Sequence, residues 1–470
     1  MAAERLRLSG LDTAFLCLER DITPMQLGAL VIFQPSRPMS AEQVASLLAE
    51  RVRRLPRLGR RVQRAWFPPG SATWADDPGF HPADHIHAHH LSGADSYGQA
   101  TELTSKLMAR PLRRNRPLWE LHVMSGLRWR DEPERFGVLV KLHHAFGDGM
   151  AALEIGVGLL DEWGPQGPAR GVPTSSGAHP VTSLMATASS WSTIGHILTA
   201  PCRLVSGVRR AAGEAIGQAT DLIGMAASVL GGARLPSPGS PLVITSSGRR
   251  ELGFARLDLQ DVRRIRAHFG GATVNDVLLA VVAGALRDWL GTRGHPVDGL
   301  RLRALIPVSC RARSGGRIGG NQMSGYLCEL PVGEPDAGER LRIVQQAMRH
   351  SKAVGPTRGP GAIPLLAERL PPALHRFAAP VVGQVAALLF DLMVTSVPVP
   401  GISLRLGGAE LVEVFPVAPL APGHALVVGL SCYRGTAYIG LHVDRDALPG
   451  VDGLVKAIPA SASALDQECA

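Results

Sequence analysis

The stretch Phe136 to Trp163, FGVLVKLHHAFGDGMAALEIGVGLLDEW, constrains the fold more than any other. Val138, Leu139, Val140 and Leu142 make a near-continuous apolar run rich in β-branched side chains, which predicts a buried strand. From Asp148 onward the period changes. Leu153, Ile155, Leu159 and Leu160 recur at helical spacing, and Asp148 stands where a helix N-cap belongs. A short turn between the two elements carries His143, His144, Gly147, Asp148 and Gly149.

Side chains alternate across a strand, so His144 shares a face with Val138, Val140 and Leu142, while His143 faces the other way with Lys141. The two imidazoles need separate explanations. A neutral imidazole at the end of a buried strand is suited to take a proton from a substrate hydroxyl, because its ordinary pKa lies close to working pH. His144 is the expected base. His143 and Asp148 are expected to organise the turn, and Gly147 and Gly149 to let the backbone bend or approach a substrate. Taken singly, Asp148 also reads as a helix cap and His143 as a satisfied core histidine. The whole pattern HHxxxDG on a strand, turn and helix is what points to catalysis.

His143, His144, Asp148 and Gly149 match the HHxxxDG motif of acyltransferases that resemble chloramphenicol acetyltransferase, a superfamily that includes the condensation domains of peptide synthetases. Other stretches resemble the bacterial wax ester synthase and diacylglycerol acyltransferase family. They are Asp12, Pro24 and Met25; Pro111, Leu112, Pro117, Leu118, Trp119 and Glu120; Asn275 and Asp276; Pro307, Val308, Ser309 and Arg311 followed by Gly320 and Asn321; and Ser431, Tyr433, Gly435, Gly440, Asp444 and Arg445. The resemblance covers nearly the whole chain. It departs from the family at Gln26, where many relatives carry His, and at Arg113, where an acidic residue is usual. The run Thr395, Ser396, Val397, Pro398, Val399, Pro400 stands for the family's Ser-Asn-Val-Pro-Gly-Pro.

The resemblance implies an α/β protein with mixed sheets, built as two chloramphenicol acetyltransferase-like domains with an active-site channel between them. The expected division is residues 1–165 carrying HHxxxDG, a linker with crossover helices over 166–246, and a second acyltransferase-like domain over 247–470. Residues 164–183 are rich in Gly, Pro and Ser, as a linker is. Residues 184–233 read as loosely patterned helix, either a packed crossover or an amphipathic helix lying on lipid.

Composition narrows the alternatives. A hydrophobic content of 45% with 19% charged residues suits a globular chain with a large core, and 5% aromatic residues argue against a stacking surface for nucleic acid. The net charge of +9 is carried almost wholly by arginine, since the lysines are Lys106, Lys141, Lys352 and Lys456, and much of it reflects compositional bias. The run Arg51, Arg53, Arg54, Arg57, Arg60, Arg61 and Arg64 reads either as a solvated helix face or as a surface for membrane or phosphate. Six scattered cysteines without a CxxC pair argue against a zinc site or disulfide framework. His81, His85, His87, His89 and His90 lack cysteine or carboxylate company, so no metal is expected. The N-terminus lacks the apolar core of a signal peptide. Ala378 to Val397, interrupted by Pro380, Gln384 and Asp391, reads as a core helix running into a strand rather than a membrane span. No G-x-S-x-G elbow occurs, against a serine hydrolase.

By resemblance, the expected activity is acyl-CoA-dependent O-acyl transfer forming triacylglycerol or wax esters, with no cofactor beyond the acyl-CoA substrate. Its partners would be a fatty acyl-CoA and diacylglycerol or a long-chain alcohol, met in the cytoplasm or at the inner membrane or a lipid-droplet surface. No nucleic-acid partner is expected. Gly149, Asn275, Asp276, Thr395 and Ser396 are the candidate substrate-binding residues. The helix start at Asn275 and Asp276 suits an anionic group, or is simply a capped, buried helix. The hydroxyl of Thr395 or Ser396 is suited to donate to an oxyanion. Two further readings stay open: a condensation-type transferase fed by a carrier-protein thioester, and a non-catalytic lipid-binding homologue.

Overall fold

Two six-stranded sheets carry the chain, in a computed structural model that describes residues 6–65, 70–93, 95–128, 133–161, 240–309, 321, 323–355, 363–378 and 389–469. Trp66, the linker and crossover segment up to residue 239, Arg311 and Gly320, and the helical part of the 378–397 stretch lie outside the described residues.

The first half runs β1 (Leu6–Arg7), α1 (Gly10–Leu18), β2 (Gln26–Gln34), α2 (Ala41–Val52), β3 (Arg60–Arg64), β4 (Ala72–Asp76), β5 (Ile86–His90), α3 (Ser96–Met108), β6 (Trp119–Leu127), β7 (Arg135–His143) and α4 (Gly149–Gly158). The second continues with β8 (Arg250–Asp258), α5 (Leu259–His268), α6 (Val274–Gly291), β9 (Leu302–Ser309), β10 (Met323–Leu330), α7 (Ala337–Val354), α8 (Ile363–Arg369), β11 (Leu392–Pro398), β12 (Arg405–Leu406), β13 (Ala409–Val417), β14 (Leu426–Tyr433), β15 (Thr436–Asp444) and α9 (Val451–Gln467).

One sheet has the order β12-β13-β2-β7-β6-β5, the other β10-β9-β11-β14-β15-β8, and β1, β4 and β3 form a small third sheet. The apolar run of β7 explains its interior place between β2 and β6, antiparallel to both. A strand buried on two faces gains from apolar side chains at consecutive positions. Phe33 of β2 stacks on Phe136 of β7 at 5.2 Å, and Val44, Leu48 and Val52 of α2 are buried in the same core. Helix α2 starts with Ser40 and Gln43 forming a reciprocal capping box.

The boundary at residue 247 does not partition the sheets. Strand β13 pairs antiparallel with β2 from Glu410 opposite Gln34 to Val417 opposite Gly28, so the second half completes the first half's sheet. Leu411, Val414, Phe415 and Val417 on this strand are buried in the first sheet's core. Tyr433 and Tyr438 anchor the crossing through bonds donated to the carbonyls of Ile402 at 3.0 Å and Val412 at 2.7 Å.

Helix α1 precedes β2 and begins at a capping serine. Ser9 caps it and Asp12, at the third helical position, returns the bond to the Ser9 amide. Ser-x-x-Asp is the local signal for such a start.

Candidate active site

The site forms where β7 gives way to α4. His143 is the last strand residue, His144 to Phe146 make a single 3₁₀ turn, and the Asp148 carboxylate caps α4 by accepting from the Ala151 amide at 2.9 Å. Three contacts hold the turn. The His144 amide donates to the Met25 carbonyl at 2.7 Å, the Phe15 ring stacks on the imidazole at 4.0 Å, and Arg57 donates to the Phe146 carbonyl while lying over that ring.

His144 is 8% exposed and lines a cavity together with Val138 and Val140, as strand alternation requires. Burial pushes its pKa down to about 4, opposed by its own main-chain carbonyl and by the Asp148 carboxylate. The imidazole is therefore neutral at pH 7, and a weaker base than an exposed histidine.

His143 points away from the cavity and is fully buried. Its Nδ1 accepts from the Ala145 amide at 2.9 Å, so the neutral ring carries its proton on Nε2, 3.4 Å from Glu19 Oε1. Glu19 also takes two bonds from Arg114, at 2.9 and 3.1 Å, and one from the Met25 amide at 3.3 Å. Burial alone would raise the Glu19 pKa, but His143 and Arg114 outweigh it and hold the carboxyl below its usual range.

A second support comes from the other half of the chain. Asn321 donates from its amide nitrogen (3.1 Å) and its side-chain Nδ2 (2.6 Å) to Asp12 Oδ1, and Nδ2 also reaches the His144 carbonyl at 2.6 Å. Asp12 is buried, which raises its pKa against the lowering effect of these bonds.

The cavity, about 1290 Å³ of atom-free space including solvent at its openings, is lined by residues of β2, β7, β13 and α4 together with residues of β9, β10 and β11. Its lining is apolar apart from His144, Thr395 and Ser431. The Ser431 hydroxyl is committed to the Val414 carbonyl at 2.9 Å. Gly149 lets α4 meet β11, since a Cβ there would stand 2.8 Å from Val397 Cγ2.

Of the residues singled out in the sequence, His144, Gly149 and Thr395 meet at the cavity, whereas His143 and Asp148 support the turn from outside its lining. Ser396 alternates to the exposed side of β11, where its hydroxyl faces Asn275 Oδ1 at 3.5 Å. Asp276 is buried in the capping box of α6, accepting from the Thr273 amide at 2.8 Å, and does not line the cavity. Asp12 and Asn321 stand in family-like stretches, yet their joint role needs a contact across 309 residues. Glu19 and Arg114 carry no motif and emerge from the structure alone, and Arg57, named only as part of the arginine run, is placed against the turn.

Three of the clustered histidines have partners within the fold. His85 bonds the Trp119 carbonyl at 2.9 Å, His90 the Ser125 hydroxyl at 3.1 Å, and His89 the His122 ring at 3.2 Å. Among the described residues no group of three or more His, Cys, Asp or Glu is placed to hold a metal ion. In the arginine run, Arg51 pairs with Asp161, Arg60 with Asp76 and Arg61 with Asp77, so these side chains serve internal contacts. Gln26, which stands in place of the family's His, is buried and donates to the Arg110 carbonyl at 2.6 Å. No helix among the described residues is long and apolar enough to cross a membrane.

Two mixed sheets with their flanking helices have the α/β fold seen in chloramphenicol acetyltransferase-like acyltransferases and condensation domains. The wax ester synthase/diacylglycerol acyltransferase catalytic-domain family matches residues 8–278, and the C-terminal domain of the same family matches residues 319–465. A probable diacylglycerol O-acyltransferase of Mycobacterium tuberculosis (strain ATCC 25618 / H37Rv) is 30% identical over 460 residues, covering 96% of this chain and 94% of its own. Among solved structures, the wax ester synthase/diacylglycerol acyltransferase of Marinobacter aquaeolei VT8 superposes with a TM-score of 0.68 at 21% identity, covering 98% of this chain and 99% of its own. A trichothecene 15-O-acetyltransferase from Fusarium sporotrichioides gives 0.58 at 13% identity, covering 98% and 95%. This chain belongs to the wax ester synthase/diacylglycerol acyltransferase family and is an acyl-CoA-dependent O-acyltransferase of lipid ester synthesis.

Proposed function

We propose that the protein transfers a fatty acyl group from its coenzyme A thioester to diacylglycerol or a long-chain alcohol, with His144 as the catalytic base. The observation that carries this reading is a buried, neutral imidazole in the wall of a large cavity that is otherwise almost entirely apolar. Apolar walls suit alkyl chains, and a desolvated neutral imidazole suits proton removal from a hydroxyl.

In the proposed reaction His144 takes the hydroxyl proton as the oxygen attacks the thioester carbonyl carbon. The new C–O bond forms, the C–S bond breaks, and the imidazolium returns the proton to the departing thiolate. The products are an ester and free coenzyme A. No acyl-enzyme is required. Thr395 lines the same cavity and is assigned the donor to the oxyanion, while His143 and Asp148 hold the turn. Positioned acid–base groups contribute about 10²- to 10⁴-fold, and an oxyanion donor about 10²- to 10³-fold. Because both chains are water-insoluble, transfer at a lipid surface on the cytoplasmic side is part of the proposal.

The test is release of free coenzyme A from palmitoyl-CoA with dioleoylglycerol or hexadecanol, alongside His144→Ala. Release that depends on the acceptor and disappears in the variant supports O-acyl transfer by this residue. Equal release from both proteins would remove His144 from the role.

A further inference from the structure

Among the described residues three glycines line the cavity, and two have a packing reason. A Cβ on Gly28 would fall 2.0 Å from the Val140 carbonyl oxygen, and one on Gly149 would fall 2.8 Å from Val397. Gly156 is different. Apart from its chain neighbours and its own helix backbone, no atom of the described residues lies within 4 Å of where its Cβ would stand. It nevertheless sits inside α4, where glycine is about 1 kcal/mol less favourable than alanine. Packing does not require the missing side chain, helix formation disfavours its loss, and the position borders the cavity.

We infer that Gly156 is a specificity-determining residue that keeps the distal cavity open for the far end of a substrate's alkyl chain. This inference rests on the acyl-transfer reading above. Gly149 and Gly156 stand seven residues apart on α4, which is about 10 Å along the helix axis. An extended alkyl chain advances roughly 1.3 Å per carbon, the projection of a C–C bond of about 1.5 Å, so roughly eight carbons span that distance. Ala152 and Leu153 border the cavity along the intervening turns, and Val157 and Leu160 border it beyond. A branched side chain at position 156 would occupy the space where carbons past that point lie. Chains ending nearer His144 would be untouched. The chain belongs either to the acyl donor or to the acceptor alcohol, and these differ in which substrate series responds.

The experiment compares wild type, Gly156→Ala and Gly156→Leu in two series. In one, octanoyl- to stearoyl-CoA is given with hexadecanol held constant; in the other, octanol to octadecanol is given with palmitoyl-CoA held constant. Gly156→Leu is expected to lower the long-to-short ratio of kcat/KM by about tenfold or more in one series, the scale of a steric mismatch in an apolar pocket. The series that moves identifies the chain. Gly156→Ala is expected to move the ratio in the same direction by a few-fold at most, with an unchanged or raised melting temperature, so the inference stays testable if the leucine variant fails to fold. Unchanged ratios in both series, in a folded protein that turns over, overturn the inference and leave the transfer reading standing. Where wild type shows no acceptor-dependent release, fluorescence titration with cis-parinaric acid decides. Weaker binding to Gly156→Leu by tenfold or more then supports the alkyl-chain site while the transfer reading falls, and equal binding overturns the inference.

Discussion

Asn321 Nδ2 stands 2.6 Å from the His144 carbonyl and 2.6 Å from Asp12 Oδ1, tying the proposed catalytic turn to α1 through a residue from the other half of the chain. Asn321→Ala removes both bonds and leaves a buried carboxylate with fewer donors. Stability is expected to fall by about 1–3 kcal/mol, the range for an unsatisfied buried polar group. The rate is expected to fall by about 10²-fold if the turn shifts by as much as an ångström. Denaturant melts and steady-state kinetics on one preparation check both. A full loss of stability with an unchanged kcat would make Asn321 a structural clamp without influence on His144.

The burial of His144 predicts an acid limb far below that of an ordinary histidine. With its pKa at about 4 in the free protein, kcat/KM is expected to stay flat from neutral pH to about pH 5 and to fall by half near pH 4. A limb centred near 6.5 would mean that the ring is solvated in the working enzyme. The same depression links to folding. The unfolded chain binds protons at these histidines at a higher pH than the folded one does, so the contribution is present above about pH 6.5 and lost as pH falls toward 4. His442, also at about 4, acts in the same direction. Melting temperature is therefore expected to decline across that window.

The strand, turn and helix around HHxxxDG were legible because period-2 and period-3.6 apolar patterns and an Asp cap are local signals. Alternation alone also separated the facing of His144, which lines the cavity, from that of His143, which does not. The exchange of β13 into the first sheet was not legible, because an apolar strand such as Leu411 to Val417 carries no mark of which sheet it joins. The Asn321 clamp was hidden for a related reason, since side-chain partners distant in sequence leave no spacing to read. Asp276 is a different case: a residue conspicuous in a family-like motif is bonded within its own helix start, one of the two readings its sequence leaves open.

That capping role gives a direct prediction. Asp276→Ala is expected to reduce stability by about 0.5–2 kcal/mol, the range for losing a helix cap, while kcat/KM for acyl-CoA stays within about twofold. Thr273→Ala, which removes the reciprocal half of the same box, should behave alike. A rise of tenfold or more in KM for acyl-CoA without a change in the melt would instead assign Asp276 to substrate binding.

The His143–Glu19 contact separates support from chemistry. Glu19 is buried with a 3% exposed side chain, whereas its partner Arg114 is 52% exposed, so the strength of this network lies mainly on the histidine side. Glu19→Gln keeps the shape but withdraws the charge. Double-mutant cycles of Glu19→Gln with His143→Gln are expected to show a coupling of about 0.5–3 kcal/mol, the range for neighbours in one network. The depressed Glu19 pKa also places this stability above the unfolded carboxylate value, near 4.5, with loss as pH falls through the lower folded value. On activity, His143→Gln should reduce kcat less than His144→Ala, which removes a base worth about 10²- to 10⁴-fold. His143 is not among the residues that line the cavity, and its ring accepts from the Ala145 amide in the turn, so the expected role is positional. If both variants lose activity equally while His143→Gln melts like wild type, the two histidines act as one catalytic unit, and a purely positional role for His143 is wrong.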